Sequence, residues 1–182
     1  MTAKIIKRFN LRINSSTKNI KMEIVCSTDS KYIMPTGIML TSLFESNRGE
    51  VVNVHLLHDQ DSAALLDSIR TIAARYQQNI HFYLINDDIF KHFPIGLDFQ
   101  VDHVGTSFAT YYRLYLAEIL PADIDKVIYL DGDILVVDKL VELWNTSVEN
   151  YAIAAVPDSY NNNIEHYNRL RYPQTLGYFN AG

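Results

Sequence analysis

The chain contains 182 residues, of which 48% are hydrophobic and 20% are charged, and its formal net charge is −5. These values are typical of one globular domain, and no apolar run reaches the roughly 18 residues that a membrane-spanning helix requires. The single cysteine, Cys26, excludes an internal disulfide and favours a reducing compartment, so we expect a cytoplasmic protein.

Charge is distributed unevenly along the chain. Residues 1–21 hold six of the 16 basic residues and no acidic one, a charge of +6, whereas the remainder carries −11. An acidic body argues against nucleic acid as a partner, because contacts to phosphates need clustered Lys and Arg. We interpret residues 1–21 as a basic extension and residues 22–182 as the domain. The alternative for the extension is contact with anionic lipid at the inner face of the membrane.

Strand and helix patterns alternate from Met22 onward. Continuously apolar runs indicate buried strands, and an apolar period of 3.6 residues indicates helices. The predicted elements, in chain order, are strand 22–27, helix 34–46, strand 51–58, helix 61–77, strand 79–86, helix 106–118, a fourth strand in 126–140, a short helix near 138–145 and strand 151–157. This order predicts an α/β fold, with a mainly parallel sheet and helices on both faces.

The fourth predicted strand ends in two carboxylates one residue apart. The stretch KVIYLDGDILVVDKL (126–140) is apolar up to Asp131, Gly132 and Asp133 and then becomes apolar again. Ligands bind beyond the carboxyl ends of parallel strands, so we expect the pair at such a site. The two charges repel each other, and Mg²⁺ or Mn²⁺, which prefer hard oxygen ligands, would remove the repulsion. The alternative is a solvated pair in a loop.

Haloacid-dehalogenase-like phosphatases offer another interpretation of the same residues. Their Asp-x-Asp motif follows a strand, with the first Asp as nucleophile and the second as acid/base. That motif usually lies on the first strand and has Thr or Val two residues after the second Asp. Here the strand is about the fourth, and Leu135 occupies that position, which disfavours a phosphatase.

Five segments of the sequence form a more specific pattern. They are IVCSTDSKY (24–32), TSFATYYRLYLAEILP (106–121), KVIYLDGDILV (126–136), AAVPD (154–158) and YFNAG (178–182). In this order and spacing they resemble glycosyltransferase family 8, which contains bacterial lipopolysaccharide galactosyl- and glucosyltransferases and glycogenin. The resemblance covers residues 22–182. It implies the nucleotide-sugar-binding GT-A fold, a UDP-sugar donor, Mn²⁺ or Mg²⁺, and retention of the anomeric configuration.

The resemblance assigns roles to residues at the ends of the first and fourth strands. Asp131 and Asp133 would hold the metal against the UDP diphosphate. Ser27 and Asp29 would hold the uridine, and Tyr32 would stack on its base. Considered without the family, Asp29 could instead be an ordinary cap at the end of a strand, and Tyr32 could belong to the core.

Four further positions correspond to contacts with the donor. Arg113 matches an arginine near the donor sugar and the diphosphate. Asp158 and Asn180 match donor-sugar contacts and are the candidate catalytic residues, with Ala181 beside them. The alternatives are a surface cation over an aromatic ring for Arg113 and a turn residue for Asp158.

The resemblance also implies partners and limits. The donor would be UDP-glucose or UDP-galactose, and the acceptor a sugar on lipopolysaccharide or another glycan. Family members continue well beyond the segment 178–182, so we expect this chain to be the N-terminal portion of the fold, incomplete at its C-terminus. The alternative function is a module that binds UDP or a UDP-sugar without turnover. A sheet edge left open by truncation would favour a homodimer.

Overall fold

The computed structural model describes most of the predicted domain. The described residues are 20–59, 61, 63–93, 108–157, 168, 171, 173, 175, 177 and 179. Three predicted site residues, Asp158, Asn180 and Ala181, lie outside the described residues, as does the basic extension up to residue 19.

Four parallel strands form the central sheet. The strands are β1 (Lys21–Thr28), β2 (Val51–His58), β3 (Asn79–Leu84) and β4 (Ile128–Tyr129). Their order across the sheet is β3-β2-β1-β4, and every neighbouring pair is parallel. The predicted parallel α/β fold is therefore confirmed. Because β4 pairs with β1, the loops that follow these two strands emerge side by side at one edge of the sheet.

Helices cover both faces of this sheet, as predicted. The α-helices are α1 (Ile33–Ser46), α2 (Leu66–Arg75), α3 (Leu116–Ile119) and α4 (Val141–Trp144), and 3-10 helices span Ala63–Leu65, Asp87–Phe90 and Phe108–Tyr115. Helices α1 and α2 pack on one face, whereas α3 and the last 3-10 helix pack on the other. None of the helices in the described ranges has the length and apolar character needed to cross a bilayer.

Side chains alternate along each strand and divide the core in two. One face of β1 and β2 contributes Met22, Ile24 and Val54, among others, to a cluster with α1 and α2. The opposite face contributes Val25 and Leu57 to a second cluster that contains the aromatic 3-10 helix. Burying a side chain of this size contributes roughly 1.5–3 kcal/mol, so the two clusters hold β1 and β2 rigidly at the centre of the molecule.

The fourth strand is shorter than predicted, and the apolar run after the Asp pair does not continue it. The backbone N–H of Val136 donates to Ser42 Oγ at 3.0 Å, and Ser46 Oγ donates to the Val136 carbonyl at 2.8 Å. Helix α1 thus satisfies the backbone that a longer strand would have paired. Leu135 and Val137 are 63% and 87% exposed, so this run is not the buried strand that its composition suggests.

The prediction of a fifth strand over residues 151–157 is wrong. Tyr151 and Val156 are 72% and 74% exposed. Among residues 151–157, the structure describes β-pairing only for Pro157, which forms a single antiparallel bridge with Phe179. A strand requires a ladder of hydrogen bonds to a neighbour, and residues 151–157 have no ladder of that kind.

A polar cluster occupies the amino-terminal half of the sheet face that carries Val25. Glu23 accepts hydrogen bonds from His55 Nε2 at 2.9 Å and from Asn53 Nδ2 at 3.0 Å, and Lys21 Nζ lies 2.8 Å from it. Tyr83 Oη contacts the other ring nitrogen of His55 at 2.9 Å. Burial would raise the pKa of Glu23, but the bonds from Lys21, His55 and Asn53 together outweigh it and hold this pKa below the usual 4.5.

Replacing Glu23 with Gln should therefore flatten the acid side of the stability curve. Because the folded-state pKa is depressed, the stabilisation is complete above about pH 4.5 and is lost as the pH falls through the folded-state value. The free energy of unfolding, measured in urea between about pH 3 and pH 6, tests this. Glu142→Gln, at an exposed position of α4, is the control. Equal slopes for Glu23→Gln and the wild-type chain would contradict the prediction.

Candidate functional site

The loop that follows β1, residues 29–32, is shaped by the carboxylate of Asp29. Its Oδ1 accepts hydrogen bonds from the backbone N–H groups of Lys31 at 2.8 Å and Tyr32 at 2.9 Å. Asp29 is only 6% exposed. This turn fixes the passage from β1 into α1, so the capping role considered for Asp29 is present in the structure. Tyr32, half-buried, stands at the first turn of α1.

The loop that follows β4, residues 130–133, lies directly against the end of β1. A Cβ atom at Gly132 would lie 2.6 Å from Thr36 Oγ1 and 3.4 Å from the carbonyl oxygen of Ser27. The backbone between the two predicted metal ligands therefore touches both the end of β1 and the start of α1. A residue with a side chain has no room there, which explains the glycine between the carboxylates.

Arg113 connects the aromatic 3-10 helix to the Asp pair. Its Nη2 donates to Asp131 Oδ1 at 3.0 Å, and its Nε donates to the carbonyl oxygen of Thr110 at 3.0 Å. The guanidinium carbon lies 4.5 Å from the centroid of the Tyr129 ring. Tyr129 Oη in turn shares a hydrogen bond of 2.7 Å with Ser27 Oγ. A continuous network thus joins the β1 end to the carboxylate of Asp131.

The phenol of Tyr129 is neutral at physiological pH. Burial raises the pKa of Tyr129 above its ordinary value of 10.0, and this effect exceeds the opposing effects of the Ser27 hydrogen bond and the Arg113 charge. The hydroxyl therefore acts as a hydrogen-bonding group toward Ser27, and the ring acts as a neutral surface for the guanidinium of Arg113.

The aromatic helix that carries Arg113 is supported by Phe90, which is fully buried. The rings that surround Phe90 are those of Phe93, Phe108, Tyr111, Tyr112 and Tyr115. The sequence predicted a helix over 106–118, and among its described residues 108–115 form a 3-10 helix that continues into α3. Side chains three apart are aligned in a 3-10 helix, and this places two such pairs of rings on Phe90.

Tyr112 has a polar anchor as well as ring contacts. Its hydroxyl donates to Asp87 Oδ1, and burial together with this carboxylate raises the Tyr112 pKa well above its usual value. The tyrosine is 1% exposed and belongs to the core. Although Tyr112 is adjacent to Arg113 in the sequence, its ring belongs to the core and is not a stacking surface for a ligand.

The structure brings several of the predicted site residues to one edge of the sheet. Ser27 and Asp29 end β1, and the network through Tyr129 links Ser27 to Arg113 and Asp131. Asp133 follows in the same loop and is exposed. Tyr32 lies in the β1 loop, but none of its described contacts connects it to the Asp pair.

Sequence reasoning missed two residues of this edge, Tyr129 and Thr36. Thr36 is fully buried in α1, donates to Thr28 Oγ1 at 3.0 Å and sets the space around Gly132. A hydroxyl inside an otherwise apolar stretch, as in KVIYL, was the available signal for Tyr129. Thr36 gave no comparable signal, because it matters through its contact with Gly132, which lies 96 residues later in the sequence.

The chemistry of the Asp pair suits Mn²⁺ or Mg²⁺, which prefer oxygen ligands. Within the described ranges, no group of three or more His, Cys, Asp or Glu side chains could hold a metal ion. Asp131 and Asp133 therefore fit a divalent cation only as two of its ligands. Oxygens of a bound diphosphate and water are ligands that could add to these two.

A separate cavity of about 270 Å³ lies at the opposite edge of the sheet, before the starts of β2 and β3. Its lining includes Arg48, Arg75 and Tyr76. Glu45 engages Arg48 through two hydrogen bonds of 2.9 Å, so the cavity offers less positive charge than its composition suggests. In parallel α/β sheets ligands bind at the carboxyl edge, and we therefore assign the candidate site to the β1 and β4 loops.

Replacing Gly132 with Ala should destabilise the chain and displace the Asp pair. The added carbon would meet Thr36 Oγ1, which cannot yield because its β-branched side chain is buried and hydrogen-bonded. Overpacking of this kind costs about 1–3 kcal/mol in the free energy of unfolding. The combination with Thr36→Ala should recover part of the loss, and a double-mutant cycle measures this coupling. Additive costs would show that the contact is unimportant.

Together these features define an α/β protein whose candidate site residues lie at the carboxyl edge of a parallel sheet. Comparison with known proteins agrees. The chain is 25% identical over 178 residues to the lipopolysaccharide 1,2-glucosyltransferase of Escherichia coli K12, covering 97% of this chain and 51% of that protein. It is 26% identical over 167 residues to the lipopolysaccharide 1,3-galactosyltransferase of Salmonella typhimurium, covering 89% and 47%.

The structure of the galactosyltransferase LgtC in complex with donor and acceptor sugar analogues matches with a TM-score of 0.75 and 30% identity, covering 88% of this chain and 56% of that chain. Residues 23–182 match the family described as Glycosyl transferase family 8. The chain belongs to glycosyl transferase family 8, and the predicted GT-A fold is confirmed. It spans about half the length of the relatives it matches.

Proposed function

We propose that this protein transfers a hexose from a UDP-sugar to an acceptor sugar on lipopolysaccharide or another glycan, with a divalent cation held at Asp131 and Asp133. The observation that carries the proposal is the packing of Gly132 against Ser27 and Thr36, because it brings the Asp pair beside the β1 loop within a family 8 fold. The similarity to lipopolysaccharide glucosyl- and galactosyltransferases supports the class of donor and acceptor.

In this proposal the two ends of the donor are bound by two different loops. The β1 end would bind the nucleoside through Ser27 and Asp29, with Tyr32 stacking on the base. The β4 loop would hold the diphosphate end, where Arg113 supplies a guanidinium suited to phosphate oxygens. Asp158 and Asn180 would contact the transferred sugar.

A divalent cation at the Asp pair would supply Lewis-acid stabilisation of the negative charge on the departing UDP. The chain itself contributes orientation. The rigid end of β1 fixes one end of the donor, and the Gly132 contact fixes the carboxylates relative to it. Holding both ends of the donor in one geometry lowers the entropic part of the barrier to transfer. The retention of configuration inferred from the family would follow from the position of the acceptor relative to this fixed donor.

Titration of the full chain with UDP tests the site directly. We expect UDP to bind in the presence of Mn²⁺ and to bind much more weakly when EDTA removes the metal, because diphosphate and carboxylates repel each other without a cation. Isothermal titration calorimetry measures both affinities. Equal binding with Mn²⁺ and with EDTA would contradict the metal assignment.

A second candidate function is binding of UDP or a UDP-sugar without transfer, favoured by the observation that the site residues joined by the described network, Ser27, Arg113 and Asp131, are all assigned to the nucleoside or the diphosphate end of the donor. Release of UDP from UDP-glucose and UDP-galactose, followed with and without lipopolysaccharide acceptor, separates the two. Transfer or hydrolysis by the chain supports the enzyme. Metal-dependent UDP binding with neither reaction supports the binding module.

A further inference from the structure

The carboxylate proposed to bind a cation already has a positively charged partner. Asp131 Oδ1 lies 3.0 Å from Arg113 Nη2, and the two side chains are 35% and 21% exposed. A divalent cation bound to the same oxygen would stand close to the guanidinium, and the two positive charges would repel each other. Arg113 therefore competes with a metal that arrives alone.

A metal that arrives with a diphosphate also brings negative charge, which attracts the guanidinium of Arg113. The diphosphate adds several oxygens that can accept from a guanidinium, and bonds of this type are among the strongest in proteins. Arg113 would then lose its bond to Asp131 and gain one to the ligand. The same side chain that opposes the bare cation would favour the cation–diphosphate complex.

We propose that Arg113 is an exchangeable counter-ion of the site, which neutralises Asp131 until a cation-bound diphosphate arrives and then transfers its Nη2 contact to the diphosphate. This inference rests on the proposed function and assigns a specific step to its donor site. It implies that the site selects the metal and nucleotide as a unit over the metal alone.

The surroundings of Arg113 allow such an exchange with little movement. The Nε bond to the Thr110 carbonyl and the ring of Tyr129 hold the inner part of the guanidinium independently of Asp131. Only the Nη2 contact has to change. Tyr129 is therefore a positioning residue, and its hydroxyl bond to Ser27 ties this support to the β1 end where the nucleoside would lie.

Arg113→Gln tests the exchange, because it removes the charge and keeps a shorter, neutral side chain that can still form hydrogen bonds. The affinity for Mn²⁺ alone, measured by electron paramagnetic resonance, should rise about two- to fivefold, the scale of a partly exposed ion pair. The affinity for UDP at saturating Mn²⁺ should fall about tenfold or more, the scale of a hydrogen bond to a charged group. Changes of opposite sign are the signature of exchange, and a purely structural role would not produce them.

Arg70→Gln is the matched control, since Arg70 also pairs with an aspartate, Asp67, and lies 4.5 Å from a ring centroid, that of Phe82. It makes the same change in net charge on α2, away from the site, and should alter neither affinity. Arg113→Lys keeps the charge, and it replaces Arg113→Gln in both affinity measurements if the Gln variant does not fold. Its Mn²⁺ affinity should stay near the wild-type value while its UDP affinity falls.

The outcomes separate this inference from the proposed function. If UDP binding to the wild-type chain does not depend on Mn²⁺, both are overturned. If it does depend on Mn²⁺ but Arg113→Gln leaves the affinity for Mn²⁺ unchanged or weaker, the exchange is overturned and the proposed function stands. If Arg113→Gln binds UDP with Mn²⁺ as tightly as the wild-type chain, the transfer to diphosphate is overturned.

Two variants of Tyr129 test separately whether its ring positions the guanidinium of Arg113. Tyr129→Phe keeps the ring and removes the hydroxyl, whereas Tyr129→Leu also removes the surface on which the guanidinium rests. We expect the Leu variant to lose more affinity for UDP at saturating Mn²⁺ than the Phe variant. Equal losses would overturn the positioning role of the ring, while leaving the hydroxyl bond to Ser27 as the significant contact.

Discussion

Replacing Asp131 with Asn is expected to remove the Mn²⁺-dependent part of UDP binding. The amide keeps the shape of the side chain but removes one of the two negative charges that the β4 loop offers to a cation. Loss of a group that merely orients a metal ligand costs about 10- to 100-fold in metal affinity, and loss of a ligand should cost at least as much. Calorimetric titration with UDP at a fixed Mn²⁺ concentration measures the change.

Asp138→Asn is the control for this variant. Asp138 lies in the same segment, is exposed, and its Oδ1 accepts only a local hydrogen bond from the backbone of Lys139 among the bonds described. It changes the net charge equally and should bind UDP like the wild-type chain. Asp133→Asn should behave like Asp131→Asn. If Asp131→Asn retained wild-type affinity in Mn²⁺, the cation would have to lie elsewhere.

Replacing Phe90 with Ala should cost about 3–5 kcal/mol in the free energy of unfolding, the range found for large aromatic residues in cores. Phe90 is fully buried, and five other aromatic rings surround it. Most of these rings belong to the 3-10 helix that carries Arg113. Any chain that remains folded should therefore also hold Arg113 less firmly and bind UDP with Mn²⁺ more weakly.

Urea unfolding measures the cost for Phe90, and Ile89→Ala is its neighbour control. Ile89 lies in the same short 3-10 helix but is 46% exposed, and substitutions at such positions usually change stability by less than about 0.5 kcal/mol. A loss for Phe90→Ala no larger than that for Ile89→Ala would show that the aromatic cluster does not support the second face of the sheet.

The periodicity of the sequence predicted the first half of the fold closely. Strand β2 has the predicted bounds, and β1 and α1 each begin one residue earlier than expected. These elements are buried on long faces, so their apolar patterns are complete. The prediction of a parallel sheet with helices on both faces followed from the same patterns and is confirmed.

The second half was less predictable because its apolar residues do not all enter a core. The run after Asp133 has the composition of a strand, but Ser42 and Ser46 of α1 bind its backbone at Val136. Residues 151–157 are likewise apolar yet largely exposed. Composition cannot distinguish an apolar residue that packs from one that does not when the partner lies far away in sequence.

Candidate site residues could be picked out from the sequence where a residue type carries its own chemistry, but not where only the fold brings residues together. Two carboxylates at a strand end, Asp131 and Asp133, indicated a cation site without any structure. The pairing of Arg113 with Asp131 required the sheet order, and the role of Thr36 required the contact with Gly132. The metal assignment and the donor roles remain predictions that the binding experiments above address.

The two-residue length of β4 affects the order in which the molecule can assemble. Strands β1 to β3 are neighbours along the chain and can fold together, whereas Tyr129 reaches Ser27 only after a loop of about a hundred residues closes. In the part of the chain that the structure describes, β4 pairs with β1 over two residues and β2 pairs with β1 over eight. We therefore expect the β1–β4 pairing to open locally more readily than the β1–β2 pairing. A nucleotide that contacts both loops would stabilise the pairing of β1 with β4 and slow amide hydrogen exchange in these two strands.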